Sequence, residues 1–579
     1  MNLCNKIAEA LMRARLCEAR FSGFAFLCRG QPMDFDWRAI PGSLLAPLLQ
    51  GCVGRMQLHT LANTALDLLA QNKDSQAFPL ADFVREAFLA AWEEAPLDLD
   101  CINPLLDLQE SWPCLPESLT RLLRACKNGQ HASEEDLSRL RALALAHDDN
   151  GLFAFIEQRH EAEPGNAYWL RQAVHLGAAR DLSWLEQRFA RAADVPEPVL
   201  AALKADAALL RGEHGLAARW YAAALRTLPR PGWRARLGES LFRAGQTDEA
   251  LHHWQAALAQ RPWQVHLVLR CDDLRRGRHL PAALPAGRGI ILLYSWNKAG
   301  LLNATLSSLH ASETGGTDIV VLDNGSNDAT PAMLAGWEQR FAPRLEVVRL
   351  PCNIGAPAAR NWLLSMPRMQ EYDWIVFLDD DIELPPDWLR HFGAALAACP
   401  GRNVFGCRVV DHDRRHMLQC ADFHLLPGDS PDKKPDSLPD FVQRFSIATL
   451  HVHAAQDFGQ FTYLRPCVSV TGCCHLFRRA SLFETGLFDL RYSPSQFDDF
   501  EHDLRHAMRG DLPVYQGYLR IPHARRTGSY GPGEGPQLAN SWANMYKLQM
   551  RYPRETFDQI RAVAHAALLE DVLARTNVA

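Results

Sequence analysis

No stretch of the 579-residue sequence approaches the roughly eighteen consecutive apolar residues that a membrane-spanning helix needs. A secretory signal is missing too, since the first thirty residues carry Glu and Arg at helical spacing. With no transmembrane segment and no export signal, the expected location is cytoplasmic. Positive charge is not in excess. The formal net charge is -6, which counts against a general nucleic-acid binder, so no nucleic acid is expected among the partners. There are 15 cysteines, but no CxxC pair and no regular framework, so reduced and mostly packed thiols are expected, and no zinc site. What is present is ordinary for globular protein: 47% hydrophobic and 22% charged residues, on a chain too long for one core, so that about three domains are expected.

Residues 1–165 are rich in Ala, Leu, Arg and Glu. Stretches such as Ile7 to Leu16 place apolar residues three and four apart, as in amphipathic helices. Punctuation at Pro41-Gly42, Pro96, Pro104, Pro113 and Pro116 cuts the region into short pieces that suit packed helix pairs. Over residues 166–280 a repeat appears. Gly212, Ala217, Tyr221, Ala224, Leu225 and Pro229 recur as Gly245, Ala250, Trp254, Ala257, Leu258 and Pro262, each 33 positions on. Pro196, with Trp184 and Phe189 nearby, marks a degenerate third unit. This spacing resembles that of tetratricopeptide repeats, whose solenoids commonly bind peptides. Bracing the neighbouring domain is the open alternative. Residues 279–289 are a linker by composition.

After the linker, strand and helix patterns alternate. Gly289 to Ser295, Thr317 to Asp323 and Leu345 to Leu350 read as strands, and Leu301 to Ala311 and residues 329–341 as helices. This order predicts a largely parallel sheet with right-handed crossovers. A fourth strand, Trp374-Ile-Val-Phe-Leu378, runs straight into Asp379, Asp380 and Asp381. In open α/β sheets, ligands sit outside the carboxyl ends of the strands. Three adjacent carboxylates repel one another unless a cation or a donor-rich ligand compensates, which points to a hard divalent metal carrying phosphates. An acidic turn leading into a helix is the plainer alternative. The polar tips Tyr294, Asn297, Asp323 and Arg360 are expected on the same edge as Asp379 to Asp381.

The series Tyr294-Ser-Trp-Asn297, then Val321-Leu-Asp-Asn-Gly-Ser-Asn-Asp328, then Asn353 to Asn361, then Phe377-Leu-Asp-Asp-Asp381 resembles family 2 glycosyltransferases of the GT-A fold. Val470 to Asp489 is similar to that family's acceptor-side strand and helix, and Asp498 to Gly510 to its acidic helix, with Asp498 where the family usually has Glu. The resemblance implies an α/β GT-A domain with a Rossmann-like mixed sheet over residues 286–535, preceded by the all-α regions and followed by a helical extension over 536–579. It implies a nucleotide-diphosphate sugar as donor and Mn²⁺ or Mg²⁺ as cofactor. Asp379 and Asp381 match the DxD carboxylates, Asp381 being the expected metal contact, with His523 a third ligand. Donor contacts would come from Tyr294, Asn297, Asp323, Arg360, Asp379 and Asp380. Asp499 would be the general base of an inverting displacement, with Gly472 and Glu501 on the acceptor side. A structural role for Glu501, and a turn role for His523, are the plainer readings of those two residues.

Asp503 reads as solvated helix surface or a partner for Arg505 and Arg509. Arg525 and Arg526 would suit a loop closing over the diphosphate. Residues 408–465 form a long insertion with a low-complexity tip and scattered histidines (His412, His416, His424, His451, His453) that lack metal-ligand spacing. In residues 536–579, Trp542, Met545, Tyr546 and Leu548 form an apolar stripe expected to dock on the catalytic domain. The leading function is a glycosyltransferase acting on a hydroxyl acceptor, such as flagellin or a surface-glycan precursor, held by the helical repeats. Two alternatives stand beside it. One is a repeat-type scaffold with a non-catalytic transferase-like domain. The other is a nucleotidyltransferase, against which the missing Gly-rich phosphate loop with a basic residue after the first strand counts.

Overall fold

The computed structural model describes residues 35–576, apart from 52, 72–77, 193, 431–441, 448–454 and 525–534. The stretch Ile7 to Leu16, the tip of the insertion, His451, His453, Arg525 and Arg526 therefore lie outside the described residues. Two compact units are present. The first takes in residues up to Cys271, with Phe458–Gln460 and the chain end, and the second takes in Asp272–Asp457 and Phe461–Arg575.

The first unit is helical throughout its described residues up to Cys271. The 33-residue repeat folds as two equivalent helix pairs, Glu197–Leu210 with His214–Thr227 and Pro231–Arg243 with Thr247–Leu258. Gly212 and Gly245 both take a left-handed conformation at the turns, with φ of 84° and 83°, which glycine adopts at no steric cost. Tyr221 and Trp254 are fully buried, flanked by the buried alanines Ala217, Ala224, Ala250 and Ala257, whose small side chains let the helices approach. The degenerate unit is also a helix pair, Ala167–Arg180 with Leu182–Phe189. It dispenses with the glycine, because Asp181 ends one helix and caps the next by accepting from Ser183 N and Trp184 N.

In the second unit the strands are β1 (Gly289–Ser295), β2 (Asp318–Asp323), β3 (Leu345–Arg349), β4 (Trp374–Leu378), β5 (Val404–Asp411), β6 (Leu418–Cys420), β7 (Leu425–Pro427), β8 (Phe445–Ile447), β9 (Leu464–Pro466), β10 (Cys474–Arg478) and β11 (Val514–His523). The main sheet has the order β3-β2-β1-β4-β10-β5-β11-β9, with β6 paired to β5. Its first four strands are parallel, as the alternation predicts. Beyond them it is mixed, because β10 runs antiparallel between β4 and β5, and β9 is antiparallel to β11. Both faces of the parallel block are covered. Ile291, Leu293, Val376 and Leu378 feed one core, and Ile290, Leu292, Ile375 and Phe377 the other. The two-residue period of a strand thus gives apolar residues at every position.

The insertion does not loop freely: β6 and β9 join the main sheet, and β7 and β8 pair with each other. His424 is buried against Asp422. The C-terminal helices Gly535–Arg551 and Arg554–Thr576 pack on a core shared with Phe500, Leu504 and Ala507, through Leu548, Phe557, Ile560 and Ala564. The apolar stripe is only half buried, however. Trp542 and Tyr546 are 38% and 51% exposed, whereas Asn544 and Gln549 take the inner positions. Those amides satisfy backbone groups that an apolar side chain would strand: Asn544 donates to Tyr492 O, and Gln549 donates to and accepts from Phe445.

Candidate active site

The carboxyl ends of β1, β2 and β4 lie side by side, and the end of β11 joins them through the backbone. Glu383 N donates to Pro522 O at 2.9 Å, and Ala524 N to Asp381 O at 2.9 Å. This stitching sets His523 against the acidic run. Its Nε2 is 3.0 Å from Asp381 Oδ1 and 3.9 Å from Asp379 Oδ2. One donor atom from each of Asp379, Asp381 and His523 can be chosen so that all three lie within 4.8 Å of one another. Two hard oxygens and an imidazole nitrogen form a set that suits a divalent first-row ion.

The electrostatics agree with that fit. Burial, then the charge of Asp381, raises the pKa of Asp379. Burial also acts on Asp381, but the hydrogen bond and charge of His523 and the charge of Lys298 outweigh it and lower that pKa. Burial alone would lower the pKa of His523, yet its hydrogen bond to Asp381 leaves it raised. Carboxylates this crowded are stabilised by a neighbouring cation.

Asp380 is engaged differently. It accepts from Ser295 Oγ at 2.6 Å and from Lys298 Nζ at 2.6 Å, and Lys298 also reaches Asp381 at 3.0 Å. Sequence reasoning missed Lys298, although it directly follows Asn297 in the first turn. Asn297 (φ 51°) and Asp323 shape that edge: Asn297 accepts from Asn327 N at 2.8 Å, and Asp323 from Ser326 N at 2.9 Å. Arg360 is buried and pairs with Asp498 at 2.5 Å, its guanidinium 5.5 Å from the Tyr294 ring centre.

Asp499 opens the helix Asp498–Met508 and accepts from Gly472 N at 2.7 Å. Gly472 is buried, and a Cβ there would lie 2.5 Å from Asp499 Oδ2 and 2.9 Å from Arg360 Nη2. The glycine is what lets the backbone between β9 and β10 approach that carboxylate. Glu501 is fully buried, accepting from Tyr552 Oη at 2.7 Å and Arg505 Nε at 3.1 Å. Asp503 departs from the expected solvated surface. It is buried and accepts from Ser469 Oγ at 2.7 Å and Val470 N at 3.1 Å, so it braces the segment between β9 and β10 that presents Gly472.

Residues 290–483 match the model of glycosyl transferase family 2. Over 174 residues the chain is 34% identical to the succinoglycan biosynthesis protein ExoO of Rhizobium meliloti (strain 1021), a stretch covering 30% of this chain and 44% of that protein. The chain thus spans less than half the length of this curated relative. Among the solved structures that resemble it at low identity are two with Mn²⁺. One is GalNAc-T7 with UDP, GalNAc and Mn²⁺, at 13% identity and a TM-score of 0.34, covering 47% of this chain and 50% of that one. The other is the mannosyltransferase PcManGT from Pyrobaculum calidifontis in complex with GDP-Man and Mn²⁺, at 17% identity and a TM-score of 0.32, covering 56% of this chain and 85% of that one.

Proposed function

We propose, from the match of residues 290–483 to the model of glycosyl transferase family 2, that this chain is an inverting, metal-dependent glycosyltransferase. It moves a sugar from a nucleotide-diphosphate donor to a hydroxyl acceptor, a protein or a surface-glycan precursor. One observation carries the reading: Asp379, Asp381 and His523 converge at the strand ends, on the sheet edge where Gly472 holds Asp499. A divalent cation held by those three residues would act as a Lewis acid toward the charge developing on the leaving diphosphate. Asp499 takes the proton of the acceptor hydroxyl as its oxygen bonds to the anomeric carbon, and the bond from that carbon to the diphosphate oxygen breaks on the opposite side. A free carboxylate is a weak base toward an alcohol, so alignment supplies much of the rate. Lys298 and Arg360 add fixed positive charge among the carboxylates, and Tyr294 offers a ring face beside Arg360. The helix-pair repeats, which resemble tetratricopeptide repeats, are assigned to holding the acceptor, and the chain to the cytoplasm.

Thermal shifts with UDP, GDP, dTDP and CMP, each with and without Mn²⁺ or Mg²⁺, test this directly. A ligand at a hundred times its Kd stabilises the folded state by about 2.7 kcal/mol. One nucleotide should raise the melting temperature only with metal, and Asp381→Ala should lose the shift. Asp499→Asn should keep the shift and lose turnover. No shift from any nucleotide with either metal would refute the reading, and release of pyrophosphate instead of nucleoside diphosphate would identify a nucleotidyltransferase.

A further inference from the structure

We propose that Gln419 is a positioning residue that fixes which ring nitrogen of His523 faces Asp379 and Asp381, and so prepares Nε2 to bind a divalent cation. This rests on the reading of those residues as a metal site.

Gln419 lies on β6, which pairs antiparallel with β5. Cys420 faces Val409 and Leu418 faces Val410, so the register skips Gln419. It is the extra residue of a bulge, a device that re-aims one side chain out of the ladder. The released amide is buried and grips His523 at two points. Its Nε2 donates to the backbone oxygen of His523 at 2.9 Å, and its Oε1 lies 2.8 Å from His523 Nδ1. A carbonyl oxygen only accepts, so the NH₂ end of the amide must face the His523 backbone and the oxygen end must face the ring. An amide oxygen also only accepts, so Nδ1 carries a proton. Without an ion Nε2–H donates to Asp381 Oδ1; when a cation takes the place of that proton, Nδ1 keeps its own and the lone pair on Nε2 is the one offered to the ion. With the opposite tautomer, a lone pair would meet the Gln419 oxygen and Nε2–H would point where the cation belongs. A partner of this kind on a ligating histidine is worth about 10- to 100-fold in metal affinity.

Mn²⁺ titration followed by electron paramagnetic resonance, with no nucleotide or acceptor present, reads this without turnover. Gln419→Met, similar in length but without the amide, should weaken Mn²⁺ binding by about 10- to 100-fold. Gln419→Glu keeps an acceptor toward Nδ1–H but loses the donor to the His523 carbonyl, so it should bind Mn²⁺ less tightly than wild type and more tightly than the Met variant. In a His523→Ala background, Gln419→Met should have no further effect, because Gln419 acts through the ring. Should the Met variant fail to fold, Gln419→Asn, too short to span both contacts, carries the same expected loss. Wild-type affinity in a folded Gln419→Met protein overturns the proposal alone, as does a Glu variant that binds Mn²⁺ no better than the Met variant. A wild-type protein that takes up no Mn²⁺ overturns the metal reading and this proposal together.

Discussion

Replacing Gly472 by alanine should disable proton transfer more than it weakens nucleotide binding, because two of the three nearest atoms the new methyl meets belong to Asp499 and one to Arg360. Gly472 is not among the residues with positive φ, so the backbone accepts alanine without strain and the whole effect comes from the added methyl. That carbon would sit 2.5 Å from Asp499 Oδ2 and 3.0 Å from Asp499 Cβ, where ordinary contact begins near 3.4 Å. The carboxylate must therefore retreat by about 0.9 Å, and it cannot do so by swinging its tip alone, because its Cβ is crowded too. Moving also weakens the 2.7 Å hydrogen bond from Gly472 N. A misplacement of about 1 Å typically costs on the order of 100-fold in rate. Overpacking a buried site costs about 1–3 kcal/mol of stability. Initial rates of nucleoside diphosphate release, with kcat and donor KM separated, should show kcat falling about 100-fold while the metal-dependent thermal shift with nucleotide persists. A Gly472→Ala enzyme with wild-type kcat would refute the placement of Asp499 as the base. A loss confined to donor KM would put the effect of the methyl on Arg360, 2.9 Å away, and not on Asp499.

Two further perturbations probe the first unit. Burial raises the pKa of Glu93, but the charges of Arg261 and Arg230 outweigh it and hold the group at about 2, below its ordinary 4.5. A depressed pKa stabilises above the unfolded value and is lost on acidification, so this contribution is complete above pH 4.5 and disappears as pH falls toward 2. Its size is about 3 kcal/mol. In urea titrations the gap between wild type and Glu93→Gln should be wide at pH 7, narrow as pH falls below 4.5 and close only near pH 2, and a gap independent of pH would contradict the assignment. Trp254→Ala should cost about 3–5 kcal/mol, since it empties a fully buried site and removes the hydrogen bond from the indole to the Ala235 carbonyl at 3.0 Å. A loss below about 1 kcal/mol would show that the second repeat has no packed core of its own.

The sequence by itself determined what short-range pattern controls. Apolar runs at every position gave doubly covered strands, and the abrupt change from Leu378 to Asp379 marked where the sheet edge turns polar. The 33-residue offset gave the helix pairs, because glycine turns and small-residue contacts repeat with the chain. Only the tertiary structure decided which groups meet. His523 reaches Asp381 because β11 lies in the same sheet and its end is stitched to the acidic loop, a consequence of strand order that no local period encodes. Lys298 meets carboxylates 82 and 83 positions away, and Gln419 meets His523 across 104 positions through a bulge that leaves no compositional mark. Asp503 shows the same limit from the other side. Its charge and its place on an amphipathic helix read as surface, and it is buried because Ser469 and Val470, more than thirty positions earlier, supply the hydrogen bonds that offset its desolvation.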